Sequence, residues 1–233
     1  MHEGISLYDG LAWYLVFLFS TTVHEASHAL VALKLGDDTA HRGGQVSLDP
    51  APHIQREPIG MVVVPILSFV LWGWMIGWAS APYDPRWANR YPKRAAWMAL
   101  AGPASNLMLA IIGGLLIRLG MMAGWFGAPE FITATQSVGW THDGLPRIMA
   151  EIVGIFFSLN LILFVFNLLP LPPLDGSSLP VLLLPPRAAD KYTEFVNGPA
   201  VRMLGLIVAW QIFGRVFAPI HGWAISLLYA GAY

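Results

Sequence analysis

Cysteine is absent from all 233 residues. Disulfides and thiolate metal sites are therefore excluded, and any bound metal must be held by His, Asp or Glu. Charge is also scarce. Lys, Arg, Asp and Glu make up 12% of the chain, about half the share of an ordinary soluble domain. With a formal net charge of -1 and no basic tract, the chain lacks the electrostatic footprint of a nucleic-acid binder. Apolar residues take up the difference, at 56% of the chain with a mean hydropathy of +0.58. Lipid rather than water is expected to cover much of the folded surface. No Lys or Arg occurs in residues 1–10, so the basic start of a cleavable signal is missing and the first apolar run is expected to stay as a membrane helix. No internal repeat or low-complexity linker divides the chain, which reads as a single membrane-embedded domain over residues 1–233.

The apolar runs set the expected architecture: mainly α, polytopic, with about four to six membrane-embedded helices. The first run covers residues 11–35, and its polar members include Thr21, Thr22, His24, Glu25, Ser27, His28 and Lys34. A polar, glycine-rich stretch follows over residues 36–58. In it, residues 45–49 alternate like a short strand ended by Pro50, so a small β element is expected after the first helix. The second run, residues 59–78, is interrupted by Pro65, Gly73 and Gly77. The third, residues 95–122, starts just after Arg86, Arg90, Lys93 and Arg94. The fourth, residues 148–169, ends in Pro170, Pro172 and Pro173, and the last, residues 199–230, is broken by Pro219 and Gly222. Trp72, Trp74, Trp78, Trp87 and Trp97 flank the second and third runs as an interfacial aromatic belt would.

His24-Glu25-Ala26-Ser27-His28 has the form HExxH. On a helix, positions i and i+4 share a face, so both imidazoles can reach one ion, and Glu25 sits beside it. Three ionisable groups inside a membrane segment are costly enough to need a purpose. Catalytic zinc generally takes three protein ligands, and His41, His53 and Asp175 are the candidates for the third. Read alone, Asp175-Gly176 is an ordinary turn at a helix end.

HExxH on the first helix, Gly102-Pro103-Ala104-Ser105-Asn106 opening another, and Asn167 to Pro170 to Leu174-Asp175-Gly176 closing a third resemble the site-2 proteases, which are intramembrane zinc metalloproteases. The resemblance spans residues 21–176. It implies one catalytic Zn2+ held by His24, His28 and Asp175, with Glu25 as the base that activates water and Asn167 helping to stabilise the oxyanion. Val46-Ser47-Leu48-Asp49-Pro50, then His53 and Pro58-Ile59-Gly60, are similar to compact bacterial and archaeal members without PDZ or CBS domains. Where such members often continue Lys-Pro-Val-Pro-Val, this chain reads Ser80-Ala81-Pro82-Tyr83-Asp84. Asn106 and His53 are further candidates, for substrate binding.

These ligands meet only if the first and fourth helices point the same way. Two full crossings between them would make them antiparallel, so residues 59–78 are expected to dip in and return on the same side, as Pro65, Gly73 and Gly77 permit. That arrangement puts Lys34, Arg42, Arg56, Arg86, Arg90, Lys93, Arg94, Arg187 and Lys191 on one face, and before the last apolar region only Arg118 and Arg147 on the other. The positive-inside rule then turns the site toward the cytoplasm of a prokaryotic cell membrane. The expected activity is hydrolysis of a peptide bond in or near a transmembrane segment of a membrane protein. The substrate would be locally unwound, and could pair along residues 45–49. The competing readings are a protease of prenylated peptides with Glu151 as third ligand, and a non-catalytic metal-binding or transport protein. Oligomeric state is not legible.

Overall fold

The computed structural model describes residues 7–230. The basic-poor start at residues 1–6 lies outside them. Among the described residues, four helices are long and apolar enough to cross a bilayer: α1 (Leu7–Leu35), α6 (Pro92–Met122), α7 (Leu145–Leu168) and α9 (Pro199–Tyr229). Between them lie the short helices α2 (Thr39–Arg42), α3 (Ala51–Arg56), α4 (Val64–Trp72), α5 (Pro85–Arg90) and α8 (Pro186–Val196). The protein is an integral membrane protein, mainly helical. Its exposed apolar surface includes Ile111 and Leu115 of α6, Val70 and Leu71 of α4, and Leu204 and Ile207 of α9, as lipid contact would require.

Helix α6 packs along both α1 and α7, which also touch each other, and organises the bundle. Toward one end, Trp13, Val16 and Phe17 of α1 pack with Phe69 of α4 and with Ile155 and Leu159 of α7. A larger cluster joins Ile117 of α6, Phe157 and Leu161 of α7, and Phe217 and Leu228 of α9. Helix α1 stops at Gly36, whose φ of 104° favours glycine. There Gly36 N–H donates to Leu33 and Asp37 N–H to Ala32. The last carbonyl, Leu35 O, accepts from Trp87 Nε1 at 3.3 Å and from an Arg94 guanidinium N–H at 3.1 Å. The end of α1 is thus tied to the start of α6.

Residues 59–78 form a hairpin. A π-helical turn (Ile59–Val63) leads into α4, and together they give about 21 Å of helix, short of the ~30 Å hydrocarbon core. Gly73, at φ 76°, ends α4 and the chain returns. Ser68 Oγ accepts from Ile76 N at 2.9 Å, and Trp78 N donates to Gly60 O at 3.1 Å, so the segment closes on its own entrance. The limbs cross at Gly60 and Gly77, where a Cβ would strike the Trp78 carbonyl, and the Gly60 carbonyl and Phe17, respectively. With this segment returning, α1 and α7 run parallel and α6 antiparallel to both.

The small β element is an antiparallel pair, β1 (Phe126–Gly127) with β2 (Gly139–Trp140), in the connection between α6 and α7. Residues 45–49, expected to be strand-like, are a series of bends instead. Local hydrogen bonds engage the stretch: Gln45 N donates to Ala40 O at 2.9 Å and Asp49 N to Ser47 Oγ at 3.0 Å, while Asp49 Oδ1 accepts from Ala51 N at 2.9 Å. That competition from short polar side chains keeps the stretch out of a ladder and leaves no strand edge there for a substrate.

Candidate metal centre

His24 and His28 project from the C-terminal half of α1, one turn apart, with ring centroids 4.6 Å apart and planes at 80°. Both are buried, as is Glu25 between them. One ligand atom from each of His24, Glu25 and His28 lies within 4.8 Å of the others. The hairpin's return lets α7 deliver its C-terminal segment to the same place. Asp175 opens a 3-10 helix (Asp175–Leu182) just past α7. Its Oδ2 lies 3.1 Å from His24 Nε2 and 3.4 Å from His28 Nε2. Gly176 makes this approach possible, because a Cβ there would collide with the carbonyls of Leu168 and Leu169 at the end of α7. Tyr192 of α8 donates to Ser177 O at 2.8 Å and holds the 3-10 helix from outside.

The other face of each imidazole is committed. His28 Nδ1 donates to Met98 O at 2.8 Å, and His24 Nδ1 bonds Asn106 Oδ1. With a hydrogen on each Nδ1, the Nε2 lone pairs face each other and Asp175. Helix α6 comes close enough because Gly102 has no side chain; a Cβ there would occupy the space against both Nε2 atoms.

Two imidazole nitrogens and a carboxylate oxygen are a donor set that suits zinc. Tetrahedral ligands at about 2.0–2.1 Å from zinc would be ~3.3 Å apart, and the two His–Asp separations match that edge. The outward hydrogen bonds of both rings complete the expected support. The residues fit the ion.

The other anticipated residues lie as follows. Asn106 is fully buried, with Nδ2 donating to Asn160 Oδ1 at 2.9 Å. Asn167, half-buried in the last turn of α7, donates from Nδ2 to Leu163 O at 3.1 Å. His53 is buried in α3, its Nε2 donating to Ser47 O at 3.1 Å and its Nδ1 without a hydrogen-bond partner among the described residues. His41 is exposed on α2. Glu151 pairs with Arg147 at 2.9 Å in the first turns of α7, at the opposite end of that helix from Asp175, which removes it as a third ligand. Sequence reasoning missed Gly102 as a spacer, the Met98 carbonyl, and Ser20 and Asn160. A polar Asn in the middle of the fourth apolar run was the signal available for the last.

Peptidase family M50 is the family whose model matches, over residues 12–213. Similar proteins named as candidate zinc metalloproteases include YwhC of Bacillus subtilis (strain 168), 36% identical over 78% of this chain and 74% of that protein. Rip2 of Mycobacterium tuberculosis is 27% identical over 91% of this chain and 70% of its own. Rip2 of Mycolicibacterium smegmatis is 29% identical over 69% of this chain and 52% of its own. No solved structure matches. The chain belongs to peptidase family M50 and is a zinc metalloprotease of that type.

Proposed function

We propose that this M50 metalloprotease hydrolyses a peptide bond in or near a transmembrane segment of another membrane protein, with one zinc ion held by His24, His28 and Asp175. The observation that carries the reading is the meeting of the two Nε2 atoms with Asp175 Oδ2, inside a bundle of membrane helices. Zinc bound there would supply Lewis acidity, polarising a carbonyl and making water nucleophilic near neutral pH.

The chain's own residues do the rest. No hydrogen bond from the described residues engages the Glu25 carboxylate, and it lies beside both imidazoles, so it is free to take a proton from water and return it to the leaving amine. Asn167 sits in the last turn of α7, ahead of the segment that carries Asp175, and has a second amide N–H to offer a developing oxyanion. Asn106, with both ends of its amide engaged and no exposed surface, would act on substrate only through His24. His53 holds the loop after α1 through Ser47, and any substrate contact by it would be made through that loop.

Orientation follows from charge. Before α9, Lys34, Arg42, Arg56, Arg86, Arg90, Lys93, Arg94, Arg187 and Lys191 belong to the loops and helix ends on the side of the metal centre, and Arg118 and Arg147 to the other side. That bias turns the site toward the cytoplasm, and the bacterial relatives suit a prokaryotic cell membrane. One domain and one ion suffice for this chemistry.

The test pairs Glu25→Gln with Asp175→Asn in membranes of cells carrying each variant. Glu25→Gln should keep zinc and cause a single-pass membrane protein to accumulate uncleaved, while Asp175→Asn should lose zinc. Wild-type turnover by Glu25→Gln would remove Glu25 as the base. Unchanged zinc content in Asp175→Asn would remove Asp175 from the site.

A further inference from the structure

The two histidines are held by unlike means. His28 Nδ1 meets a backbone carbonyl, Met98 O, which can only accept. His24 Nδ1 meets the side-chain amide of Asn106, which could present either its oxygen or its nitrogen. The choice matters. If Asn106 offered its NH2 group, the proton of His24 would move to Nε2 and block that nitrogen as a ligand.

The decision is made one helix further away. Asn160 of α7 is fully buried and its amide contacts Phe156 O at 2.8 Å and Ser20 Oγ at 2.9 Å. A carbonyl accepts only, so the Asn160 NH2 must face Phe156 and its Oδ1 must face Asn106. The Asn106 NH2 must then point at Asn160, where the separation is 2.9 Å; Ser20 O, at 3.4 Å, is a weaker second acceptor. That leaves Asn106 Oδ1 toward His24 and requires the hydrogen on Nδ1. One backbone carbonyl in α7 thus dictates the protonated nitrogen of a ring in α1, through two amides shielded from water.

We propose that Asn160 is a positioning residue that, through Asn106, sets the tautomer of His24 and thereby the metal affinity of the site. The proposal rests on the reading of His24 as a zinc ligand. Loss of such a supporting group typically costs about 10- to 100-fold in metal affinity.

Full-length protein in detergent, stripped of metal and titrated with zinc against a chromophoric chelator, provides the measurement. Asn160→Leu removes both functions of the amide. Asn160→Ser keeps a hydroxyl that can bond Phe156 O but is too short to reach Asn106. Both should weaken zinc by about 10- to 100-fold. The decisive background is Asn106→Asp, because a carboxylate accepts from His24 Nδ1 whichever way it is turned and needs no orienting partner. There, adding Asn160→Leu should change affinity by less than about threefold. Cobalt(II) in place of zinc should show the same pattern, with its visible spectrum altered by Asn160→Leu in the wild-type background alone. Unchanged affinity in both Asn160 variants overturns the proposal. So does an equal loss in the Asn106→Asp background, which would mark Asn160 as a packing residue. Wild-type protein that fails to bind zinc overturns the metal reading itself, and this proposal with it.

Discussion

Replacing Gly102 with alanine adds one methyl group at the point where α6 passes the proposed metal centre. Elsewhere in a helix that change is favourable by about 0.8–1 kcal/mol, since glycine is the poorer helix former. Gly114, three turns further along α6, is the matched control: an added Cβ there would lie 3.5 Å from Phe157, an ordinary contact. At Gly102 the new methyl would run into His24 Nε2 and His28 Nε2, and the rings would have to retreat by about 1 Å to reach contact distance. Overpacking of that kind costs about 1–3 kcal/mol, so the metal-free protein should change little in stability or lose up to about 2 kcal/mol. Zinc binding cannot compensate in the same way, because ligand distances are tolerated only within about 0.2 Å. Gly102→Ala should therefore lose zinc by about 100-fold or more, with peptidase activity falling by at least as much. Gly114→Ala should keep both. Zinc content by elemental analysis and melting of the metal-free protein in detergent separate the two effects. Gly102→Ala protein that binds zinc within a few-fold of wild type would refute the placement of α6 against the imidazoles.

Glu25→Gln, measured on purified protein, should reduce turnover by about 10²- to 10⁴-fold with zinc content unchanged, and parallel loss of both would assign Glu25 to the ligand set. Because the chain has no cysteine, single cysteines report sidedness cleanly. Ser80→Cys and Arg42→Cys should be labelled by a membrane-impermeant thiol reagent from the same side and His142→Cys from the other; labelling of Ser80→Cys from the side of His142→Cys would mean that residues 59–78 cross. Asp37 is buried beside α2, which raises its pKa, but hydrogen bonds from the Thr39 hydroxyl and the backbones of Asp84 and Thr39 outweigh this and lower it. A depressed carboxylate stabilises the fold above its unfolded pKa, near 3.8, and loses that contribution as pH falls through the lower folded value. Asp37→Asn should thus melt earlier than wild type at pH 7, with the gap closing in acid below about pH 4; a gap independent of pH would exclude the linkage.

What was legible in the sequence was chemistry carried by spacing. His24, Glu25 and His28 announce themselves by helical period, and the return of the chain over residues 59–78, closed by Trp78 N–H on Gly60 O, was expected from parity together with Pro65, Gly73 and Gly77. Asp175 is different. An Asp-Gly pair after an apolar run looks like any turn, and only its resemblance to a longer motif brought it to the histidines. The strand expected at residues 45–49 failed because Ser47 and Asp49 satisfy the backbone locally, which alternation of apolar and polar residues does not reveal. Gly102 stayed hidden for a related reason: a glycine in an apolar helix reads as packing until its neighbour across the helix pair is known.

The least legible part is the support behind the ligands, and the structure gives a physical reason. A metal ligand must be a particular side chain, so it leaves a mark at a particular spacing. The partner of its second nitrogen need only accept a hydrogen bond, and a main-chain carbonyl at any residue can do that, as Met98 does for His28. No sequence pattern marks such a partner, and Met98 should tolerate any apolar residue that keeps α6 in place. Where a side chain substitutes for the carbonyl, the requirement returns to the sequence, but one step removed. Asn106 must accept from His24, and an amide accepts reliably only if something fixes which way it is turned. Hence a second amide, Asn160, and a carbonyl behind it. The polar residues buried in the fourth apolar run are therefore expected to be less replaceable the more directly they orient Asn106: Asn160 before Ser158, whose hydroxyl bonds that of Ser137, on the approach to α7, at 2.7 Å.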